Sequence, residues 1–457
     1  MSYLLNALYL LLLLLASPWL LWQAWRKGKY RAGFAEKFLG RVPRRIGDAP
    51  AIWLHAVSVG EVSLLAPLVR ALERARPDCE LLISTTSVAG YQLAQQKYAT
   101  RTVFYCPLDF SWAVRTALRR LRPNLLVLAE LELWPNLIRG ADKAGVAVAV
   151  VNGRLSERSF RGYRRLRWFA ASLLRRLACV AVQNEAYAAR FEQLGAPRAR
   201  LHVTGSLKFD GANPNRDNRA TMALRELAGV QPTDQIFLAG STQEPEEQRA
   251  IETFRALAVD QPRLRMILVP RHPERFAEVG RLLDRSGLAW RRRSELAHGA
   301  RSCSQPLSPS VREAQAAGAL LPCCASWQVL LVDTIGELGA WWGAASIAFV
   351  GGSLGTRGGQ NMIEPAAYGA AVCFGPNTHN FRDIVRALRE AQGAVVVQDG
   401  AELTAFVRRC LTEPAFAAAL GQNAASLVRE NLGATARTMV HLLPLLPAAG
   451  SKSRQAA

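Results

Sequence analysis

The stretch AIWLHAVSVGEVSLLAPLVRALERA, residues 51–75, contains the repeating unit of the fold. Its first six residues form a short apolar run, which predicts a buried strand. Apolar residues then recur at the spacing of one helix face, at Leu64, Leu65, Leu68, Val69 and Leu72. Continuous apolar strands that alternate with helices are typical of a parallel sheet covered on both faces. We therefore expect an α/β fold.

The same alternation continues along the chain in two halves. In the first half, further strand patterns lie at residues 80–84, 124–128, 146–151 and 180–183. In the second half, they lie at residues 236–239, 265–269, 329–332, 346–350 and 370–374. The polar, turn-rich segment DGANPNRDNR at 210–219 separates the halves. This pattern predicts two α/β domains, at 26–212 and 213–450, and a disordered tail at 451–457.

Residues 1–25 carry no charged side chain, and residues 4–22 are almost entirely apolar. A membrane-spanning helix requires roughly 17–25 such residues. The alternative is a cleaved signal peptide, but no basic segment precedes the apolar run and Ala16–Ser17–Pro18 is a poor cleavage site. We expect residues 1–25 to form a membrane anchor that either spans the bilayer or lies in one leaflet.

Basic residues follow this anchor directly, within a chain of formal net charge +21. Such a surplus favours an anionic partner, which is a nucleic acid, an anionic membrane surface or a phosphorylated substrate. The flanking cluster comprises Arg26, Lys27, Lys29, Arg31, Lys37, Arg41, Arg44 and Arg45. By the positive-inside rule, it predicts that the rest of the chain lies on the cytoplasmic side.

Four candidate catalytic residues lie in the first half, either after a strand or just before the polar segment. Glu61 opens the helix after strand 51–56, where a carboxylate can accept a proton from an attacking hydroxyl or simply complement the helix dipole. Glu130 and Glu132 follow a strand, and Lys208 precedes the polar segment. Taken alone, each of these residues is also compatible with an ordinary surface position.

Three segments of the second half are candidates for binding a phosphate or nucleotide. Arg271 and His272 follow strand 265–269 between prolines, and a guanidinium can pair with a phosphate. Gly336 allows close approach of the backbone to a ligand. Asn361 is a candidate helix cap after two Gly-Gly pairs, with Glu364 three residues later, and a helix start favours anions. Each segment is also compatible with an ordinary turn, since neither GxGxxG nor a Walker pattern is present.

Nine segments, taken in order, resemble the 3-deoxy-D-manno-octulosonic acid (Kdo) transferases of lipopolysaccharide synthesis, glycosyltransferase family 30. They are HAVSVGE at 55–61, ELWPN at 132–136, RLSERS at 154–159, TGSLKFD at 204–210, PRHPERF at 270–276, DTIGEL at 333–338, FVGGSL at 349–354, RGG at 357–359 and GPNTHNFRD at 375–383. The resemblance covers nearly the whole chain after the anchor, and the order of the segments makes it specific.

The resemblance implies a GT-B fold, in which two Rossmann-like domains face a central cleft behind an N-terminal anchor helix. It implies inverting transfer of Kdo from CMP-Kdo, bound by the C-terminal domain, to the lipid A precursor lipid IVA, bound by the N-terminal domain. The membrane implied is the inner membrane. Matched to the family's motifs, Glu61 is the general base, and Glu130 and Lys208 stabilise the transition state. The implied CMP contacts are Arg271, His272, Gly336, Glu337, Leu338, Asn361, Met362, Ile363 and Glu364.

The sequence departs from the family's usual pattern at several positions. Gln243 and Gln360 stand where the family usually has histidine, Leu131 replaces a threonine and Met362 replaces a proline. Glutamine can keep a neutral hydrogen bond but cannot become a cation. We expect the reaction class to be unchanged and donor geometry, acceptor details and pH dependence to be affected.

We expect no metal or other cofactor. The eight cysteines form no CxxC pair, and no aspartate-rich motif is present. Two alternative functions are a GT-B transferase that uses a UDP-hexose and a membrane-anchored nucleic-acid-binding protein. The ordered motifs argue against the first, and the α/β halves with glycine-rich helix starts argue against the second. The expected partners are CMP-Kdo, lipid IVA and inner-membrane lipids, with no nucleic acid.

Overall fold

The computed structural model describes residues 2–27, 32–299 and 327–448. Its chain divides into two compact units, Met1–Gly211 with Asn431–Ala457, and Ala212–Glu430. The predicted tail at 451–457 lies outside the described residues, as do Lys29 and Arg31 of the basic cluster.

The first unit contains a parallel seven-stranded sheet of order β3-β2-β1-β4-β5-β6-β7. Its strands are β1 Ala51–His55, β2 Glu80–Thr85, β3 Thr102–Tyr105, β4 Leu125–Ala129, β5 Ala147–Gly153, β6 Cys179–Val182 and β7 Leu201–Val203. β1 and β4 are fully buried, as continuous apolar runs predict. The sequence prediction missed β3 and β7, because both are short and only partly buried.

Helices connect these strands and cover the sheet. They are α1 Ser2–Lys27, α2 Phe34–Leu39, α3 Val59–Leu64, α4 Ala66–Ala75, α5 Val88–Lys97, α6 Ser111–Leu121, α7 Pro135–Lys143, α8 Glu157–Arg165, α9 Arg167–Leu174 and α10 Glu185–Gln193. In α4, for example, Leu68, Val69 and Leu72 are buried against the sheet, as their spacing predicts.

The second unit contains another parallel seven-stranded sheet, of order β10-β11-β9-β8-β12-β13-β14. Its strands are β8 Gln235–Thr242, β9 Leu264–Pro270, β10 Trp290–Arg292, β11 Val329–Leu331, β12 Ile347–Val350, β13 Ala371–Phe374 and β14 Ala394–Val396. Its helices are α11 Arg219–Leu227, α12 Glu246–Ala258, α13 Phe276–Ser286, α14 Arg293–Gly299, α15 Leu338–Trp341, α16 Ile363–Ala367, α17 Arg382–Glu390, α18 Gly400–Thr412 and α19 Pro414–Asn431. The prediction missed β10, since WRR is half-buried and strongly basic, and β14, which has three residues.

The C-terminal helix α20, Ala434–Leu442, belongs to the first unit, whereas the sequence prediction assigned it to the second domain. Ala434, Met439 and Leu442 are buried in the apolar core beside β1 and β4. The carboxylate of Asp210 also accepts hydrogen bonds from the backbone N–H groups of Gly433 and Thr435. This packing could not be read from the position of the segment in the sequence.

The predicted N-terminal anchor is a single helix. Within α1, residues Ser2–Trp19 are long and apolar enough to cross a membrane by length and composition, and only 6% of this window is buried. Arg45, which the sequence placed in the basic flank, is instead buried and pairs with Glu80 at 2.7 Å. It therefore contributes no free charge to that cluster.

Candidate active site

In the first unit, Glu61 lies in the first turn of α3, just after the carboxyl end of β1. The hydroxyl of Ser58 caps this helix by accepting from the N–H of Glu61 at 3.3 Å, and it donates to Glu61 Oε1 at 2.7 Å. Glu61 Oε2 accepts from the N–H of Val57 at 2.9 Å. These bonds resemble a capping box and fix the orientation of the carboxylate.

The electrostatic surroundings of Glu61 favour its neutral form. Burial raises the pKa of Glu61, hydrogen bonds from Ser58 and Val57 lower it, and the negative charge of Glu130 raises it further. The net direction is upward. A carboxylate with a raised pKa is a stronger base, which suits proton abstraction near neutral pH.

Glu130 follows β4 with a left-handed backbone, φ 56°. Such a conformation costs about 1–3 kcal/mol for a non-glycine residue and recurs at functional sites. Its carboxylate lies 4.0 Å from Lys208 Nζ and 3.9 Å from Arg154 Nε. The structure thus brings together Glu130 and Lys208, which are far apart in the sequence, and adds Arg154, to which sequence reasoning gave no role.

Glu132 is the third carboxylate of this cluster. Its pKa is raised to about 7, mainly by burial and further by the negative charges of Glu61 and Glu130. The hydrogen bond from Trp134 Nε1 at 2.7 Å acts in the opposite direction. The sequence motif signalled this residue only as the second acid of a pair. Glu61, Glu130 and Glu132 therefore form one coupled group of acids at the carboxyl edge of the sheet, beside Lys208.

In the second unit, the glycine-rich loop after β12 surrounds a buried carboxylate that sequence reasoning missed. Glu246, at the start of α12, is 1% exposed. Its oxygens accept from the N–H groups of Gly352 at 2.7 Å, Ser353 at 2.8 Å, Leu354 at 2.9 Å and Gln243 at 3.0 Å. The amides of Gly352, Ser353 and Leu354, which could have bound a ligand anion, are already satisfied within the protein.

Arg271 and His272 follow β9 and are both exposed. The N–H of Arg271 donates to the carbonyl of Thr242 at 2.9 Å, which holds this turn next to the end of β8. The neighbouring Arg275 is engaged with Glu247, at 2.9 and 3.3 Å. Arg271 is therefore the arginine of this turn that is placed to meet an incoming anion.

The segment containing Gly336, Glu337 and Leu338 forms the turn before α15. Gly336 has φ 90°, a conformation that favours glycine. The carboxylate of Glu337 accepts from Arg293 at 2.9 and 2.7 Å, and also from Thr334 and Trp341. Since its side chain is committed to these bonds, Glu337 would reach a ligand through its backbone.

The segment Asn361–Glu364 leads into α16. Met362 and Ile363 are 0% and 1% exposed, so their side chains belong to the core. The cap of α16 is Met362 and not the expected Asn361. Asn361 instead accepts from the N–H of Ile363 at 3.1 Å and donates to Glu364 Oε1 at 3.0 Å.

The segments 336–338 and 361–364 lie next to each other. A Cβ atom at Gly339 in α15 would lie 3.8 Å from Glu364 Oε2. The turn of Arg271 adjoins Thr242, which is close to the glycine-rich loop, because a Cβ at Gly351 would lie 2.7 Å from Thr242 Cα. The second unit thus groups its candidate binding residues along the carboxyl ends of its strands.

Within residues 2–27, 32–299 and 327–448, no group of three or more His, Cys, Asp or Glu side chains could hold a metal ion. Metal independence stays a prediction.

Comparison with known proteins gives matches over most of the chain. The family model of 3-deoxy-D-manno-octulosonic-acid transferase (kdotransferase) matches residues 29–211. The 3-deoxy-D-manno-octulosonic acid transferase of Bordetella pertussis is 35% identical over 441 residues, which cover 92% of this chain and 94% of that protein. The one of Haemophilus influenzae is 31% identical over 423 residues, which cover 92% of each chain.

Among solved structures, UDP-GlcNAc 2-epimerase from Neisseria meningitidis superimposes with a TM-score of 0.52 at 11% identity. The match covers 86% of this chain and 100% of that one, and it shows the fold alone. Together with the two parallel seven-stranded sheets, it confirms the predicted GT-B fold class.

Proposed function

The chain belongs to the family of 3-deoxy-D-manno-octulosonic acid (Kdo) transferases and is a glycosyltransferase, and we propose that it transfers Kdo from CMP-Kdo to lipid IVA with inversion. This reaction would serve lipopolysaccharide synthesis. The observation that carries the proposal is the cluster of Glu61, Glu130 and Lys208 in the first unit. A candidate base and a carboxylate–lysine pair lie together there, and an inverting transfer needs a base for the acceptor hydroxyl.

Glu61 is the proposed general base. The attacking acceptor hydroxyl gives its proton to the Glu61 carboxylate while its oxygen forms the new bond to the anomeric carbon of Kdo. The bond from that carbon to the donor phosphate breaks, and CMP leaves with the electron pair. Burial raises the pKa of Glu61, which supports this role because the base is stronger than an exposed carboxylate.

Glu130 and Lys208 are proposed to stabilise the transition state. As Kdo separates from CMP, positive charge develops on the sugar ring, and a carboxylate can stabilise it. Lys208 and Arg154 flank Glu130 at 4.0 and 3.9 Å, so two cationic side chains hold this carboxylate in place. The strained backbone of Glu130 supports a functional role as well.

The donor site is proposed to lie in the second unit. The carboxylate of Glu246 already accepts hydrogen bonds from the amides of the glycine-rich loop. We therefore assign the CMP phosphate to Arg271 and the exposed turn around it. His272, the backbone of Gly336, Glu337 and Leu338, and the segment 361–364 complete the proposed CMP contacts. Met362 and Ile363 would contribute through their backbones, since their side chains are buried.

The net charge of the chain and its exposed apolar residues support the proposed acceptor and the proposed membrane location. Lipid IVA is an acylated disaccharide with two phosphates, and the chain carries a net charge of +21. At the junction of α8 and α9, Leu166 and Trp168 are 56% and 66% exposed beside a run of arginines. We propose that the protein acts at the cytoplasmic face of the inner membrane, anchored by α1.

The decisive experiment is turnover of the detergent-solubilised protein with CMP-Kdo and lipid IVA, with products identified by mass spectrometry. We expect a mass gain of one or more Kdo units, without added metal and in the presence of EDTA. No gain from folded protein, while a known Kdo transferase is active under the same conditions, would overturn the proposed reaction. Loss of activity in EDTA and rescue by magnesium would overturn metal independence alone.

A further inference from the structure

The apolar helix α1 is fixed to the first unit by polar contacts near its N-terminal end. Asn6, only 6% exposed, donates to Ser111 Oγ at 2.7 Å and accepts from the N–H of Ser111 at 3.0 Å and from Asn136 Nδ2 at 3.3 Å. Tyr9 donates its hydroxyl to Asp109 Oδ2 at 3.0 Å. Asp109 and Asn136 are themselves 5% and 3% exposed.

These contacts supply hydrogen-bond partners to two helices of the body. The N-cap of α6, Phe110, offers no side-chain acceptor, and Asn6 accepts from the first N–H of that helix. Asp109, which Tyr9 contacts, accepts from the N–H groups of Asn136 and Leu137 at the start of α7. The N-terminal part of α1 is therefore a structural part of the first unit.

The two sides of α1 differ along most of its length. A stripe at helical spacing is buried or half-buried, at Ser2, Leu5, Asn6, Tyr9, Leu13, Ala16 and Ser17. The other side is apolar and exposed, at Leu4, Leu8, Leu11, Leu12, Leu15 and Trp19. One side faces the protein and the other has the chemistry of a lipid-facing surface.

These contacts conflict with a helix that crosses the bilayer. At 1.5 Å per residue, Asn6 and Tyr9 lie about 27–32 Å along the helix from Lys27. That distance is about the thickness of the hydrocarbon core, roughly 30 Å. If α1 crossed the membrane with its basic end in the cytoplasm, then Asp109, Ser111 and Asn136 would have to lie at the opposite leaflet. These residues belong to the folded body of the first unit.

We propose that α1 lies in the plane of the cytoplasmic leaflet, with its leucine side in the acyl chains and residue 2 on the same side of the membrane as the catalytic body. The exposed leucine side of α1 thus contacts the phospholipids of the bilayer. This inference rests on the proposed membrane location and deepens it.

Neighbouring side chains extend the same surface. The ring of Tyr9 contacts Phe110, with ring centroids 6.0 Å apart, and Phe110 stacks on Trp112 at 4.5 Å. Trp112 is 40% exposed, and Phe34 of α2 is 58% exposed. Aromatic residues favour the membrane interface, and the exposed Arg26 and Arg41 suit anionic head groups.

The inference is tested by labelling Ser2→Cys with a membrane-impermeant maleimide, in a background whose other reactive cysteines are replaced by alanine. Lys143→Cys, at an exposed position in the first unit, marks the side of the catalytic body. Both variants are compared in intact spheroplasts and in inverted inner-membrane vesicles, with detergent to show that each site can react.

We expect both sites to be labelled in inverted vesicles and neither in spheroplasts. Labelling of Ser2→Cys in spheroplasts alone would show that α1 crosses the bilayer. Protection of Ser2→Cys in both preparations would place residue 2 inside the bilayer, and either result overturns the inference. Recovery of the protein in the soluble fraction would instead contradict the proposed membrane location, and transferase activity is measured separately.

Discussion

The carboxylate of Glu246 accepts a hydrogen bond from the backbone N–H of Gly352 at 2.7 Å. It also bonds the next two amides of the same loop. A Cβ atom at Gly351 would lie 2.8 Å from this carboxylate, so the glycine is needed for close packing around it. The glycine-rich loop is thus built around an acid of the protein itself, which fixes the end of β12 to the start of α12.

Replacement of Glu246 by glutamine should destabilise the second unit. The amide NH₂ group would face backbone donors, and hydrogen bonds to a charged group contribute about 1.5–3 kcal/mol. We expect a loss of about that size in the free energy of unfolding, measured by denaturant titration. Glu252→Gln, in the same helix with a side chain 48% exposed, should change it by less than about 0.5 kcal/mol. Equal stability of the two variants would show that the buried carboxylate is not needed.

Glu61→Gln should abolish most turnover while preserving the fold. Glutamine can still accept from the N–H of Val57, so the start of α3 should persist, but it cannot take a proton. We expect kcat to fall by about 10²–10⁴-fold with CMP binding unchanged, measured by single-turnover kinetics and calorimetry. Glu157→Gln is the matched control, since Glu157 is also a first-turn acid and is largely exposed. Turnover near the wild-type rate would refute the assignment of Glu61 as the base.

Glu132→Gln should shift the pH dependence of the reaction. Burial raises the pKa of Glu132 to about 7, so this side chain becomes charged as the pH rises through neutrality and then repels negative charge on Glu61. Since burial and Glu130 raise the pKa of Glu61, the acid limb of the kcat/KM profile should persist in the variant, and the step near pH 7 that reports the charging of Glu132 should be lost. The profile is measured from about pH 5 to about pH 9. A step near pH 7 that persists in the variant would show that the charge on Glu132 does not affect catalysis.

The raised pKa of Glu132 should also make the stability of the protein depend on pH. The pKa of Glu132 is raised in the folded state, so the folded protein holds this proton more tightly than the unfolded chain does. Its contribution to stability is complete below the unfolded pKa and is lost as the pH rises through about 7. Glu132→Gln should therefore be less sensitive to pH in thermal unfolding over that range than the wild type.

Sequence reasoning predicted the buried, continuously apolar strands because such runs leave a local signal, and it missed the short, partly buried strands β3, β7, β10 and β14. Apolar runs such as 125–129 and the acids that follow them are visible in the sequence. The contacts that define the site are not, since Glu246 meets the glycine-rich loop from more than 100 residues away. The left-handed backbone of Glu130 likewise depends on the surrounding fold and not on residue type. The same reason explains why α1 could be predicted as an apolar helix but its attachment through Asn6 could not.

Gln243 and Gln360 lie on the same side of the glycine-rich loop. A Cβ at Gly352 would be 3.2 Å from Gln360 Nε2 and 3.6 Å from Gln243 Nε2. Both stand where the family usually has histidine, and neither can become a cation. In the double variant Gln243→His/Gln360→His, we expect the KM for CMP-Kdo to gain a pH dependence and to fall as the imidazoles are protonated below about pH 6.5. Equal KM profiles for the double variant and the wild type would show that these positions do not contact the donor.

Asn6→Leu should lower the stability of the first unit, even though it makes α1 more apolar. The substitution leaves the N–H of Ser111 without its side-chain acceptor and removes one acceptor of the Asn136 amide, which keeps its bond to the carbonyl of Asp109. An unsatisfied buried group costs about 1–3 kcal/mol, so we expect a lower thermal midpoint for the detergent-solubilised protein. Leu8→Ala is the control, because Leu8 is 48% exposed on the opposite side of the helix and should leave the midpoint unchanged. If Asn6→Leu also left it unchanged, α1 would be a simple tether, and its polar contacts with α6 and α7 would contribute nothing to the fold.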